Sequence, residues 1–85
     1  EKLSIVINNR GDMAWVEEVG IPPNGLIDMA YMEVFFYDHA NGQIYQLTNN
    51  NRPDQAPAIN DNGDVVWMGH DGTDDEIFLF RYDNR

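Results

Sequence analysis

Ile59-Asn60-Asp61-Asn62-Gly63-Asp64-Val65-Val66-Trp67 decides the fold, because the chain spells it twice. Ile7-Asn8-Asn9-Arg10-Gly11-Asp12-Met13-Ala14-Trp15 stands 52 positions earlier. Both copies place Ile-Asn before a Gly-Asp turn and end on Trp. A second landmark also repeats. Glu33-Val34-Phe35-Phe36-Tyr37 returns 43 positions later as Glu76-Ile77-Phe78-Leu79-Phe80. The two spacings differ by an insertion of nine residues in the first copy. Self-similarity at a period of roughly 43 residues marks a repeat architecture.

Outward from these landmarks, the pattern is all strand. Ser4 to Asn8 is β-branched and apolar, Asn9 to Asp12 turns the chain, and Met13 to Glu17 returns antiparallel. Gly11 supplies the positive φ the turn requires. Arg10-Gly11-Asp12 reads as this turn rather than an adhesion motif, since Asn62-Gly63-Asp64 keeps the turn and drops the Arg. Gly20 to Gly25 is a loop fixed by Pro22 and Pro23. Leu26 to Met32 is apolar, falls in the insertion, and has no counterpart in the second unit. Glu33 to Asp38 is a third strand, with an unbroken apolar run that implies burial on both faces. His39 to Gly42 is an Asn-Gly turn, and Gln43 to Thr48 is the fourth strand.

Asn49 to Gln55 reads as a polar connection. Ala56 to Asn60, Val65 to Met68 and Glu76 to Tyr82 repeat the first three strands, giving four strands plus three. No window has helical periodicity with caps at both ends. Residues 1–48 form the first unit, with its insertion at about 20–32, and 49–85 the second. The 85 residues make one structural domain.

Composition bounds function. A formal charge of −10 repels nucleic acid and anionic membranes. The acidic groups are expected to solvate turns and rims. The chain has no cysteine, which excludes disulfide staples and thiolate metal sites. No apolar run is long enough for a membrane helix. No signal peptide is visible, and the lack of Cys with many Asn, Asp and Gly suits a periplasmic or secreted protein.

Gln46-Leu47-Thr48-Asn49, Pro57 to Trp67 and Asp71-Gly72-Thr73-Asp74-Asp75-Glu76-Ile77-Phe78-Leu79 together resemble the TolB-like β-propeller repeat. In that repeat a Leu-Thr ends the outer strand, a Pro and an Asp-Gly-type turn follow, and an Ile-Tyr-like strand completes the blade. The resemblance spans nearly the whole chain outside the insertion. It implies two four-stranded antiparallel blades, the second lacking its outer strand. Two blades cannot close a ring of four to eight. Their aromatic faces therefore call for completion by oligomerisation, as a trimer giving six blades or a tetramer giving eight, with a dimer of other geometry as the alternative. Leu26, Ile27, Met29, Tyr31, Met32, Phe78 and Phe80 are the expected interface residues.

Meander alternation puts the loops at Gly20 to Met32, Asn49 to Gln55 and Gly69 to Asp75 at one end. Propeller ligands bind at that end, so Asn50, Arg52, Asp54, His70 and Asp71 are the candidate ligand-binding residues. The expected function is a non-enzymatic interaction module that self-assembles and presents this loop face to a protein or glycan. The alternative is a hydrolase or metal-dependent enzyme at the axis of the assembled ring. No catalytic residues are assigned: the chain has one Ser, and His39 and His70 fall at opposite ends. Calcium is the alternative cofactor, at Asp71, Asp74 and Asp75.

Overall fold

A computed structural model describes residues 2–20, 32–50 and 52–82. Among these residues seven strands follow in order: β1 (Lys2–Ile7), β2 (Met13–Glu18), β3 (Met32–Asp38), β4 (Gln43–Gln46), β5 (Asp54–Ile59), β6 (Val65–His70) and β7 (Asp75–Phe80). They form two antiparallel meanders, a four-stranded sheet β1-β2-β3-β4 and a three-stranded sheet β5-β6-β7. The described residues contain no helix. The expected count of four plus three strands is therefore present. Leu26, Ile27, Met29 and Tyr31 of the insertion lie outside the described residues.

The two units repeat at atomic detail. In each, the turn after the first strand is tied by one Asn. Asn8 Oδ1 accepts from the amides of Arg10 (2.9 Å) and Asp12 (3.0 Å), and Asn8 Nδ2 donates to Asp12 Oδ2 at 2.8 Å. Asn60 Oδ1 accepts from Asn62 (2.9 Å) and Asp64 (3.0 Å), and its Nδ2 donates to Asp64 Oδ2 at 3.1 Å. Gly11 and Gly63 sit at φ 87° and 86°, which a Cβ would strain. The closing Asp then clamps the end of the third strand. His39 N donates to Asp12 Oδ1 and Tyr82 N to Asp64 Oδ1, both at 3.0 Å. This is why the Asn and the Gly-Asp recur together: one side chain builds the turn and the other holds a neighbouring strand to it. A bulge recurs too, between Leu3 and Val6 and between Gln55 and Ala58. It carries Ser4 and Ala56 at φ 56° and 54°.

The sheets stack face to face, with β5 against β1, β2 and β3. Ala14, Val16, Met32, Val34 and Phe36 of the first sheet meet Val65 and Trp67 of the second, with Ile59, Phe80 and Tyr82 packed against them. The Phe36 ring lies 5.7 Å from both Phe80 and Tyr82, centroid to centroid. The two turns also touch through equivalent positions: Asn9 N and Nδ2 both donate to the Asp61 carboxylate at 3.0 Å, and Asn8 Nδ2 donates to Asn60 O at 2.9 Å. The two turns and the two sheets are thus held together by both hydrogen bonds and apolar packing.

Most strand limits differ from expectation by one or two residues, and two of the differences bear on the site. β4 stops at Gln46, because Thr48 turns its hydroxyl inward to Glu33 at 2.7 Å. β5 begins at Asp54, inside what reads as a polar connection, because Asp54 pairs across the ladder with Gly69. The acidic groups also depart from a purely solvated role. Asp12, Glu33, Asp38 and Asp54 are buried, and Asp38 accepts from Ala40 N and from the Tyr82 hydroxyl.

Candidate functional site

At the loop end, an open cleft of about 290 Å³ lies between the sheets. The segment after β4 forms one wall, through Thr48 and Asn50, and β5, β6 and β7 supply Asp54, Trp67, His70 and Phe78. Strand alternation sets this up. Trp67 faces the first sheet together with Val65, its cross-strand partner Phe78 stacks on it at 6.1 Å, and Asp54 pairs with Gly69 two residues further along β6. Gly69 is required by close approach rather than by its φ. A Cβ there would lie 2.8 Å from Asp54 Oδ1 and 2.9 Å from the Phe78 ring.

Polar chemistry gathers behind the aromatic pair. Glu33 is buried, accepting from Thr48 Oγ1 at 2.7 Å and from Asn50 N at 2.9 Å. Burial pushes its carboxyl above the ordinary range, the two hydrogen bonds work against that rise, and the neighbouring Asp54 carboxyl adds to it. Asp54 is only 2% exposed and Trp67 7%. Asp54 shares a side-chain hydrogen bond with the Glu33 carboxyl. Among the described residues no other N–H or O–H donor reaches Asp54 Oδ2 and no acceptor reaches Trp67 Nε1, both atoms being enclosed. Buried polar atoms are ordinarily satisfied, so the Trp67 indole N–H is a donor without an acceptor among the described residues.

His70 stands at the rim. Gly72 N donates to its Nδ1 at 3.0 Å, which places the ring proton on Nε2. Arg52 lies against the β6–β7 loop, its guanidinium 3.0 Å from where a Gly72 Cβ would be. Asp71 Oδ1 accepts from Thr73 N and Asp74 N, both at 2.8 Å, and these bonds hold its carboxyl below the ordinary range. Asp71 thus caps its own loop. No three His, Asp or Glu among the described residues are grouped to hold a metal ion, which counts against the calcium reading of Asp71, Asp74 and Asp75.

Of the candidate ligand-binding residues, Asn50, Asp54 and His70 line the cleft, Arg52 packs on the adjacent loop, and Asp71 shapes that loop. Phe78 forms a wall of the cleft, while Met32 and Phe80 pack in the chain's own inter-sheet core. Trp67, Glu33 and Thr48 were not singled out from sequence. For Trp67 the repeat carries a signal: Glu17, whose carboxylate accepts a hydrogen bond from the Trp15 indole N–H at 2.9 Å, is replaced by Gly69. His39 lies at the far end, against Gly11. Comparison of the chain with models of known families, with curated proteins and with solved structures finds no match.

Proposed function

We propose that the protein is a non-enzymatic, propeller-type building block that assembles head to tail with copies of itself, three or four chains closing a ring, and presents its loop end to a ligand. One observation carries this reading. Val34 and Phe36 are 0% exposed because the second unit covers them, while their equivalents Ile77 and Leu79 are 71% and 53% exposed. The face that the first unit buries is bare on the second.

The intrachain contact supplies the template for what covers it. Phe80 and Tyr82 pack on Phe36, and Tyr82 donates to Asp38. One repeat later, Leu79 and Arg81 stand where Phe36 and Asp38 stand. Together with Ala58, Ile59 and Val66 they line a groove of about 340 Å³. One repeat earlier, the equivalents of Phe80 and Tyr82 are Tyr37 and His39, whose rings meet edge to face at 5.9 Å. The occupant of the groove is therefore Tyr37 and His39 of a second copy. Trp15 is buried in its own chain, so the contact is made over the partly exposed Met13, Phe35 and Tyr37. Large exposed apolar residues rimmed by polar ones mark such interfaces. A heterologous contact of this kind closes into a ring or runs on as a filament.

The test uses two variants, each damaging one face: Leu79→Asp on the groove and Tyr37→Ser on the inserting side. Each alone is expected to be monomeric by light scattering. Their mixture is expected to form a one-to-one pair and nothing larger, since one sound groove meets one sound Tyr37 side. A mixture that stays monomeric, or variants that assemble like the parent chain, would overturn the reading.

A further inference from the structure

We infer that the outer edge of β7 docks an extended strand of another protein, one carrying an aromatic residue, any residue, then Leu-Thr. The site goes beyond the stacking of copies and does not depend on it.

The backbone sets the site. Among the described residues β7 has a neighbour on one side only, β6, whereas its equivalent β3 lies between β2 and β4. The registers match, since Val16 faces Val34 as Met68 faces Ile77. Val34 turns its backbone toward β4. Its O accepts from Leu47 N at 2.8 Å, and its N–H donates to Thr48 Oγ1 at 3.0 Å. Successive residues of an antiparallel strand turn to opposite neighbours. Ile77 and Leu79 therefore aim their N–H and C=O groups away from β6, along the edge. Such a row is a template for one more strand.

The first unit shows what fits the row. β4 runs antiparallel to β3, with Tyr45 opposite Phe36 and stacked on it at 6.3 Å. Leu47 follows two residues on, bonded to Val34 and packed against the core. The Thr48 hydroxyl then donates to Glu33 at 2.7 Å. On β7 the counterparts of Phe36, Val34 and Glu33 are Leu79, Ile77 and Glu76, and all three are exposed. An incoming strand thus needs a ring to cover Leu79, a Leu to cover Ile77 and a hydroxyl to donate to Glu76. Phe36 is met by Tyr45, Phe80 and Tyr82 at once, so an added strand and a stacked copy can share Leu79 in the same way.

Charge and pairing narrow the partner. The strand's far end lies over the exposed Asp74, Asp75 and Glu76, on a chain of net charge −10. A neutral or basic segment is drawn there and an acidic one repelled. A second copy is a poor donor, because its own β4 is already held in the ladder with β3.

A synthetic peptide with the sequence of residues 41–50, acetylated and amidated at its ends, tests the site. It is titrated against the ¹⁵N-labelled chain and against Tyr37→Ser, which leaves β7 unaltered and damages the stacking side. In both, the Ile77 and Leu79 amides are expected to shift saturably and to exchange more slowly with solvent. The Phe78 and Phe80 amides, turned to β6, are expected to keep their exchange rates. Methylating the peptide's Leu amide is expected to weaken binding about fivefold or more, the worth of one hydrogen bond. Methylating the preceding Gln amide, which faces away, is expected to leave it nearly unchanged. Leu79→Pro, checked for retained fold by circular dichroism, removes an outward N–H at an edge position where Pro is accepted, and is expected to abolish binding. No saturable shift would overturn the inference. So would equal binding of a scrambled peptide, equal effects of the two methylations, or slow exchange at Ile77 and Leu79 of Tyr37→Ser before any peptide is added. Peptide binding by a chain that is monomeric at every concentration would leave this site standing and the ring reading refuted.

Discussion

The two halves of this chain share a turn network, a bulge and a strand register, and they differ in what surrounds them. In the first unit β3 is buried on the face that carries Val34 and Phe36 and only partly exposed at Phe35 and Tyr37. In the second, β7 is exposed except near Phe80. In the first, the Trp15 indole is paired through Glu17 and Lys2. In the second, Gly69 removes that acceptor from the Trp67 indole, and Asp54, in the place of Lys2, turns to Glu33 instead. The lesson is that a unit of this kind specifies its own backbone locally but borrows its apolar burial from the neighbour on one side, as in other repeat proteins. What is exposed on the second unit is what a next unit would cover, and what its Trp67 lacks is what substitution has removed.

That contrast can be broken most forcefully in the core. Phe36→Ala removes a ring held between Tyr45, Phe80 and Tyr82, and is expected to cost about 3–5 kcal/mol in a denaturant titration. Leu79→Ala, its counterpart, is expected to cost well under about 1 kcal/mol in dilute solution, and more as protein concentration rises and the face is covered. Equal costs at high dilution would erase the distinction between the two faces.

The turn clamps come next. Asp12→Ala takes an acceptor from the Asn8 amide and from the His39 N–H, both partly buried bonds, and is expected to cost about 1–3 kcal/mol. Asp64→Ala makes the same cut near the surface and should cost about 1 kcal/mol by the same denaturation measurement.

Gly69→Glu would restore the acceptor found in the first unit, but against Asp54 and Phe78. A loss of about 1–3 kcal/mol is expected from the crowding. Asp54→Lys made together with Gly69→Glu rebuilds the Lys2–Glu17 arrangement and should recover part of that loss. Thermal melting of the single and double variants measures it, and a double variant worse than the single would show that the two sites are not versions of one another.

The smallest effects are electrostatic. Asp61 is held below its ordinary range by donation from Asn9, and Asp64 by Asn60 and the Tyr82 amide, as Asp71 is within its loop. Groups lowered in the folded state add stability above the ordinary Asp value of 3.8, and it is lost as pH falls through that value and below. Glu33 is raised, so its contribution has the opposite sign. It is present below the ordinary Glu value of 4.5 and is lost as pH rises through and above it. Melting temperatures should therefore decline modestly on the acid side of this range. Glu33→Gln should flatten the decline on the upper side and leave the acid side unchanged.

The sequence carries the strands and turns because their signals are local. The Gly-Asp turn, the Asn-Gly turn and the unbroken apolar run at Val34 to Tyr37 each act over a few residues. The start of β5 was not legible, since Asp54 and Gln55 look like loop and become strand only by pairing with Gly69 and Met68. The buried carboxyls were misread for a related reason. Asp12, Glu33 and Asp38 are indistinguishable in sequence from solvated turn residues until strand ends and hydroxyls are brought to them. Asn50, Asp54 and His70 could be grouped at one end by counting strand reversals. Trp67 could not, because its role depends on the absence of a side chain at Gly69.

The central claim is that the bare face of the second unit receives another chain. The molar mass of the unaltered protein in solution, by light scattering on a sizing column, tests it most directly. A mass three or four times that of the 9.8 kDa chain is the expected result. A single species at the monomer mass, unchanged as concentration is raised, would contradict it.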